Sequence, residues 1–430
     1  MSARSRILFL SQCLPYPPHS GVTSRTFNVL KQLQQEFDVV LLAYFRRNHQ
    51  PDPDARQAAR RALEKCVTRV GTPVAIRAEH AITRRLWDHL RSVLTGRAYT
   101  YYEHESRDYR DQLQRALAEA PPALIHLDGL NLHGWLPDLP PVPQVCTHHN
   151  IESDVLRLRA ARTTSPLLRR YVLHQAGLVA GLERRLSPRF RLNVMMSELD
   201  GERLRRLAPG ARTIVVPNGV DTTFFVPDPS RAVVPGRAVF LGGTYVFPNR
   251  DGVEYLLQDI WPDIRAAYPA ATLQLIGQTP EEDRARYERV SGVACLGFVP
   301  DIRPHVAEAG CCVVPLRVGG GTRLKILDAW AMGKAVVSTS LGCEGLETVD
   351  GDNILVRDDP KDFARAVVDV LSDAGLRNKL ERNARKTAER RYSWDSIGER
   401  LRAAYRDITE SRFGRADEPS RPAATLPPLR

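Results

Sequence analysis

No apolar stretch in this chain approaches the roughly 20 residues that a membrane-spanning helix needs. The longest, Val39 to Phe45, has the length of a strand. The N-terminal Met1-Ser2-Ala3-Arg4-Ser5-Arg6 is basic, but only Ile7 to Leu10 follow as a continuous apolar run, too short for the core of a secretory signal. No CxxC spacing occurs among the seven cysteines (13, 66, 146, 295, 311, 312 and 343), and several sit in apolar runs such as Cys311-Cys312-Val313-Val314. They read as reduced core thiols of a cytoplasmic protein rather than disulfide or zinc partners. Neither GxGxxG nor GxxxxGK[ST] is present, which removes the usual nicotinamide-cofactor turn and the P-loop.

What the chain does have is enough apolar residues for a core and an excess of positive charge. With 43% of its 430 residues hydrophobic and 26% charged, it is neither disordered nor fibrous, and its length suggests two or three globular units. Lys and Arg number 61 against 50 Asp and Glu, a formal net charge of +11, so an anionic partner is expected: a phosphorylated substrate, an acidic membrane face or nucleic acid. Nucleic acid rests on the charge alone, because no basic stripe interleaved with aromatics occurs, and it is not expected as a partner.

Short β-branched or Leu-rich runs alternate with helical patterns along nearly the whole length, the signature of parallel sheets wound by crossover helices. The expected class is α/β, with two doubly wound, Rossmann-like domains facing a cleft. Strands of the first are expected at 6–10, 38–45, 123–127, 143–147, 192–196 and 213–216. The turn-rich Pro-Asn-Gly-Val-Asp of 217–221, followed by Pro227, Pro229 and Pro235, marks the boundary. A second series follows at 238–242, 272–277, 293–298, 311–316, 335–339 and 353–356. The chain thus divides into residues 1–220, residues 221–390, a helix at 391–410 expected to pack back on the first domain, and a proline-containing tail at 411–430 expected to be disordered.

In open α/β sheets ligands bind beyond the carboxyl ends of the strands, so the loops there carry the candidates. After the first strand, the Pro-rich loop 11–21 ends in Gly21, which opens a helix with Arg25 on its first turn; free N–H groups there suit an anion or a sugar hydroxyl. After the fourth strand comes Thr147-His148-His149-Asn150. Adjacent residues of an extended segment point to opposite sides and no further ligand spacing appears, so no metal is expected. One histidine, His149 or alternatively His148, faces the cleft as a polar or acid–base group, or else caps the next helix. The acidic pairs Asp52/Asp54 and Asp350/Asp352 lie in polar turns and do not suggest a magnesium–diphosphate site.

The densest segment is 314–333. There a strand ends, Gly319, Gly320 and Gly321 allow close backbone approach, and a helix begins at Thr322 with Arg323, Lys325 and Asp328 on it. Backbone N–H groups and the helix dipole suit a diphosphate, Arg and Lys neutralise it, and the Asp can accept from ribose hydroxyls. Gly243 and Asn249, at the end of the second domain's first strand and the following helix start, are placed to reach the same nucleotide; Asn249 as a plain helix cap is the equal alternative.

These features carry a resemblance. The 217–221 element, Gly-Phe-Val-Pro-Asp-Ile-Arg at 297–303 and Gly-Thr-Arg-Leu-Lys-Ile-Leu-Asp-Ala-Trp-Ala-Met-Gly-Lys at 321–334 are similar to bacterial GT4-type glycosyltransferases of GT-B fold, nearest those of exopolysaccharide systems. The resemblance implies a hexosyltransferase-like enzyme that moves a sugar from a nucleotide-sugar donor on the second domain, with retention and without a metal or other cofactor. The acceptor, a glycan, a lipid-linked or a small molecule, would sit on the first domain. It implies that His149 is the cleft histidine. The family's paired glutamates fall on Gly320 and Asp328, so the second acid is present as Asp and the first is absent. A nucleotide-sugar epimerase shares the two-domain architecture and is the rival activity. Finally, 151–191 carries nine arginines against three acids, and Leu167, Tyr171, Leu178, Leu182 and Leu186 recur at helical spacing. That is either a core stripe with a solvated basic face or a reversible contact with the anionic inner face of a membrane.

Overall fold

The computed structural model describes residues 4–18, 21–47, 49–76, 82–161, 163–318 and 323–410. Two wholly parallel sheets organise the chain. The first holds β1 (Arg6–Ser11), β2 (Asp38–Phe45), β3 (Arg69–Val70), β4 (Val74–Ala75), β5 (Leu124–Asp128), β6 (Gln144–His148), β7 (Leu192–Met195) and β8 (Thr213–Val215). Their order is β3-β2-β1-β5-β6-β7-β8, with β4 also on β2. The second holds β9 (Arg237–Leu241), β10 (Thr272–Ile276), β11 (Val293–Gly297), β12 (Cys311–Val314), β13 (Val336–Ser338) and β14 (Leu355–Val356), in the order β11-β10-β9-β12-β13-β14. The strand order reverses between β1 and β5 and again between β9 and β12, and the two crevices outside those strand ends are where ligands are expected.

Strands buried on both faces need apolar residues at every position, and the two cores show the period of two that follows. Ile7 and Phe9 of β1, with Val39 and Leu41 of β2, enter one core; Leu8 and Leu10, with Val40 and Leu42, enter the core on the other face. The chain's last described helix, Trp394–Glu410, closes the first of these, burying Trp394, Ile397, Leu401 and Tyr405 against β1 and β2. Arg402 and Arg406 both reach Glu36, tying this helix to the end of the Gly21–Leu33 helix. The tail from 411 lies outside the described residues.

Two features depart from the sequence expectation. β3 and β4 are two residues each, too short to show a period, and the expected strand list omits them. The leucine stripe of the Pro166–Leu186 helix is also displaced: the buried face is Val172, Gln175, Ala176, Val179, Ala180 and Glu183, while Leu167 is 83% exposed and Leu178, Leu182 and Leu186 stand half-buried. Those leucines and the core face lie one step apart around the helix. Leu182 and Leu186 pack against the core with the small Ala and Val residues beside them, so counting only large apolar residues finds the edge of the buried face rather than its centre.

Tyr405 is hydrogen-bonded through its hydroxyl to His126 Nδ1 of β5 at 2.5 Å, and Thr147 of β6 takes the other ring nitrogen at 3.1 Å. Burial drives His126 down to about 3, so the ring is neutral. Tyr405→Phe leaves a buried ring nitrogen without its partner and should cost about 1–3 kcal/mol in denaturant unfolding, with an unchanged slope. A variant as stable as wild type would show that the pair does not hold the last helix down.

Candidate active site

The first sheet delivers three chain segments to its reversal point. Asp128 ends β5, Ser11 ends β1 beside it in register, and Thr26 projects from the Gly21–Leu33 helix. Thr26 Oγ1 donates to Asp128 Oδ2 at 2.7 Å and Ser11 Oγ to the same oxygen at 3.2 Å. The other carboxylate oxygen, Oδ1, accepts from His149 Nε2 at 3.0 Å. Burial alone would raise this carboxyl; the charge and hydrogen bond of His149, with smaller help from His126 and Thr26, more than offset it and hold Asp128 at about 2. An ionised carboxylate only accepts, so the ring of His149 presents N–H to Asp128 through Nε2.

The two histidines diverge as extended neighbours must. His148, the last residue of β6, is buried and hydrogen-bonded through Nε2 to Asn193 Oδ1 at 2.9 Å; burial pushes it down to about 4. His149, just beyond the strand, has its side chain buried against Asp128, 7% exposed, although the residue as a whole is half-buried. The sequence reading ends β5 at Leu127, one residue early, and so omits Asp128 from the candidates. The rule that ligand groups cluster past the carboxyl ends of strands is the signal that finds it.

Gly21 and Arg25 take different places from one another. Gly21 opens its helix facing the second domain, where a Cβ would stand 3.9 Å from Leu324. Arg25 is buried and donates through Nη1 to the Pro217 carbonyl at 3.0 Å and Asn218 Oδ1 at 3.1 Å, locking the helix to the connection between the domains. Burial lowers it to about 10, against the pull of Asp128, so it stays charged at neutral pH.

On the second sheet the reversal point is floored by glycine. Gly277 has φ +140°, and a Cβ there would lie 2.5 Å from backbone atoms of Gly242 and Gly243; only glycine lets the ends of β9 and β10 close up. Asn249, the third residue of the Phe247–Tyr255 helix, donates to the Gly243 carbonyl at 2.9 Å and accepts from Lys325 Nζ at 2.8 Å. The helix cap is Val246, so the capping alternative for Asn249 does not hold. Lys325 also lies over the Phe240 ring at 4.3 Å. Burial first, then the nearby Arg323, lowers Lys325 to about 7. Asp328, one turn into the Leu324–Ala331 helix, is raised by burial to about 7. Among the described residues neither Lys325 nor Asp328 has an oppositely charged partner within ion-pair distance. Arg323 is buried at the head of this helix, with Nε and Nη2 donating to the Leu341 carbonyl. Gly319, Gly320, Gly321 and Thr322 lie outside the described residues. Asp52 caps the Pro53–Leu63 helix and Asp350 pairs with Arg357, so both turn acids have local structural partners.

Two parallel α/β domains with their reversal points turned to one another define the GT-B class of glycosyltransferase fold. The Anabaena protein HepE in complex with UDP superposes with a TM-score of 0.63 at 16% identity, covering 94% of this chain and all of that one. The sequence agrees domain by domain: Glycosyltransferase Family 4 matches residues 19–224, and Glycosyl transferases group 1 matches 235–373. The chain belongs to the family 4 glycosyltransferases. It is 31% identical over 163 residues to the lipopolysaccharide core biosynthesis glycosyltransferase LpsE of Rhizobium meliloti, covering 35% of this chain and 45% of that one. It is 28% identical over 209 residues to one of the subunits of human phosphatidylinositol N-acetylglucosaminyltransferase, covering 44% and 40%. The chain spans less than half the length of these curated relatives.

Asp128 lies below its unfolded value near 3.9. It therefore adds stability that is complete above about pH 4 and is lost as pH falls toward about 2. Asp128→Asn should lose about 1–3 kcal/mol at neutral pH and flatten the acid limb of the stability profile. An acid limb identical to that of wild type would remove the ionised pair from the account.

Proposed function

We propose that this protein transfers a sugar from a nucleotide-sugar donor bound on the second domain to an acceptor bound on the first. The observation that carries this reading is two half-buried ionisable groups on one helix, Lys325 against Gly242 and Asn249 and Asp328 one turn on, each perturbed by burial and without an opposite charge of its own among the described residues. Desolvated groups of this kind are costly to hold, and a diphosphate for the lysine and vicinal ribose hydroxyls for the carboxylate would complete them. Arg323 adds charge to the same helix start.

Across the cleft His149, oriented by Asp128, stands where the transferred sugar would lie. We read the chemistry as front-face substitution with retention through an oxocarbenium-like state. The glycosyl bond to the diphosphate breaks as the acceptor oxygen arrives on the same face, and the leaving charge is met by Lys325, Arg323 and helix N–H groups without a metal. The contribution of the protein is electrostatic and positional, and no side chain is assigned as nucleophile. A cavity of about 1000 Å³ beside the end of β2, where Arg47, Arg85 and Arg159 outnumber Glu103 and Leu86 and Leu168 add apolar wall, supports an acceptor with an anionic and an apolar part. Such an acceptor is met at an anionic membrane surface, as in envelope polysaccharide assembly on the cytoplasmic side.

Thermal shift with UDP, GDP, TDP and ADP should find one nucleotide that stabilises the protein by about 2.7 kcal/mol at a hundredfold excess over Kd. Asp328→Asn should weaken that binding by about 1–3 kcal/mol. In an Asp328→Asn background, which removes the opposing titration of that carboxyl near 7, affinity should fall as pH rises through about 7 because a diphosphate favours protonated Lys325, and adding Lys325→Arg should flatten that dependence. If no nucleotide stabilises wild type, or Asp328→Asn and Lys325→Ala bind as it does, the donor site is elsewhere. His149→Ala should cut kcat far more than nucleotide affinity; a variant with full activity would take the histidine out of the reaction.

A further inference from the structure

The Ile82–Thr95 helix is built inside out. Its two buried residues are Asp88 and Ser92, whereas Ile82, Leu86, Trp87, Leu90, Val93 and Leu94 are all exposed, Ile82 at 79% and Leu94 at 72%. The inward polar groups are partnered. Asp88 pairs with Arg84 at 3.0 Å and Arg91 at 3.5 Å, and Ser92 accepts from Gln175 of the Pro166–Leu186 helix at 2.7 Å. Locked this way, the helix cannot rotate to hide its leucines. Water is a poor solvent for so large a contiguous apolar face, and such a face on a folded domain marks a contact with something apolar.

Directly after this helix, Gly96, Arg97 and Ala98 form one wall of a cavity of about 820 Å³. The Pro166–Leu186 helix adds Gly177, Leu178, Gly181 and Leu182 to its lining. A Cβ at Gly177 or Gly181 would meet nothing within 4 Å, so the glycines leave an open groove between the leucines. Arg97, Arg184, Arg185 and Arg189 line the cavity, and no carboxylate does. None of the four makes an ion pair among the described residues; Arg97 lies over the Tyr101 ring at 4.7 Å. His133, also in the wall, is pushed down to about 4, by burial first and with Arg185 and Arg97 among the charges adding to it. The cavity also touches Gln144, the first residue of β6, while His149 lies just past the other end of that strand, roughly 16 Å away at about 3.3 Å per residue. It is therefore separate from the transfer site.

An apolar helix face that runs in the chain directly into the wall of an apolar groove ringed by arginines without ion pairs among the described residues has the chemistry of one object, an anionic phospholipid in a bilayer. We propose that the Ile82–Thr95 helix seats in the headgroup–acyl boundary of an anionic membrane, and that the Arg97/Arg184/Arg185/Arg189 cavity holds a lipid phosphate with a chain laid along Gly177 and Gly181. This assignment rests on the reading of a membrane-borne acceptor and supplies the surface that brings the first domain to it.

Full-length protein is co-sedimented at low salt with vesicles of phosphatidylglycerol and phosphatidylcholine in equal parts, and with phosphatidylcholine alone. Wild type should bind the mixed vesicles and not the neutral ones. Leu90→Ser with Leu94→Ser, and separately Arg184→Gln with Arg185→Gln and Arg189→Gln, should each weaken binding by roughly tenfold or more. Gly177→Leu with Gly181→Leu fills the groove without changing charge and should weaken it as well, while all three variants keep wild-type nucleotide binding. If wild type binds and the groove-filled protein binds equally well, the attraction is charge alone and the cavity assignment fails. If inorganic phosphate at millimolar concentration displaces the vesicles, the cavity takes a soluble anion and the lipid assignment fails. If wild type ignores anionic vesicles, the membrane reading itself falls, and nucleotide binding tests the transferase reading apart from it.

Discussion

A carboxylate buried at the meeting point of β1, β5 and the Gly21–Leu33 helix has to be held by partners or protonated. Asp128 is held, by Thr26, Ser11 and His149, and the requirement orders the whole crevice. It fixes the end of β5 against β1, sets the register of the first helix and holds the buried ring of His149 at the end of β6. Next to Thr26 on the same helix, Arg25 grips the Pro217–Asn218 connection, so the helix that braces the carboxylate also braces the domain junction. The last helix completes the enclosure from behind through Tyr405 and His126, two residues inward from Asp128 along β5.

The second domain solves the opposite problem. Lys325 and Asp328 are desolvated without counter-charges among the described residues, and the backbone beside the lysine is made rigid by Gly242 and Gly277 packed against one another and by Asn249 bridging Gly243 to Lys325. Holding charge this way lowers the stability of the domain alone and favours any ligand that supplies the missing counterparts, which is the physical meaning of a preorganised binding site. The two domains thus differ in kind: one crevice is internally satisfied and holds a single ring at its edge, while the other is left to be completed.

Much of this arrangement is legible in the chain. The alternation of short apolar runs with helical patterns defines two parallel α/β units, and the Gly-rich segment with Arg323, Lys325 and Asp328 marks a helix at the second reversal point. Position past a strand end marks His149, and the zigzag of an extended strand separates it from His148. What is not legible depends on pairing in space. Asp128 gains its significance only when β5 lies between β1 and β6. Size alone selects the leucine stripe at 167–186, whereas the fold buries the smaller Val172, Ala176, Val179 and Ala180 beside it. The inverted polarity of Ile82–Thr95 has an ordinary amphipathic pattern in sequence, and nothing in a pattern says which face points inward. Only the ion pairs of Asp88 and the hydrogen bond of Ser92 decide it.

The proposed reaction divides the labour, with the nucleotide on the second sheet edge and the reacting group on the first. Amide hydrogen exchange of the full chain, with and without a saturating nucleoside diphosphate, tests it most directly, because each sheet edge reports on its own local opening. Protection should rise at 241–250 and 323–332 and stay unchanged at 124–128 and 144–150. Protection confined to the β5 and β6 ends, with no change at 323–332, would contradict it.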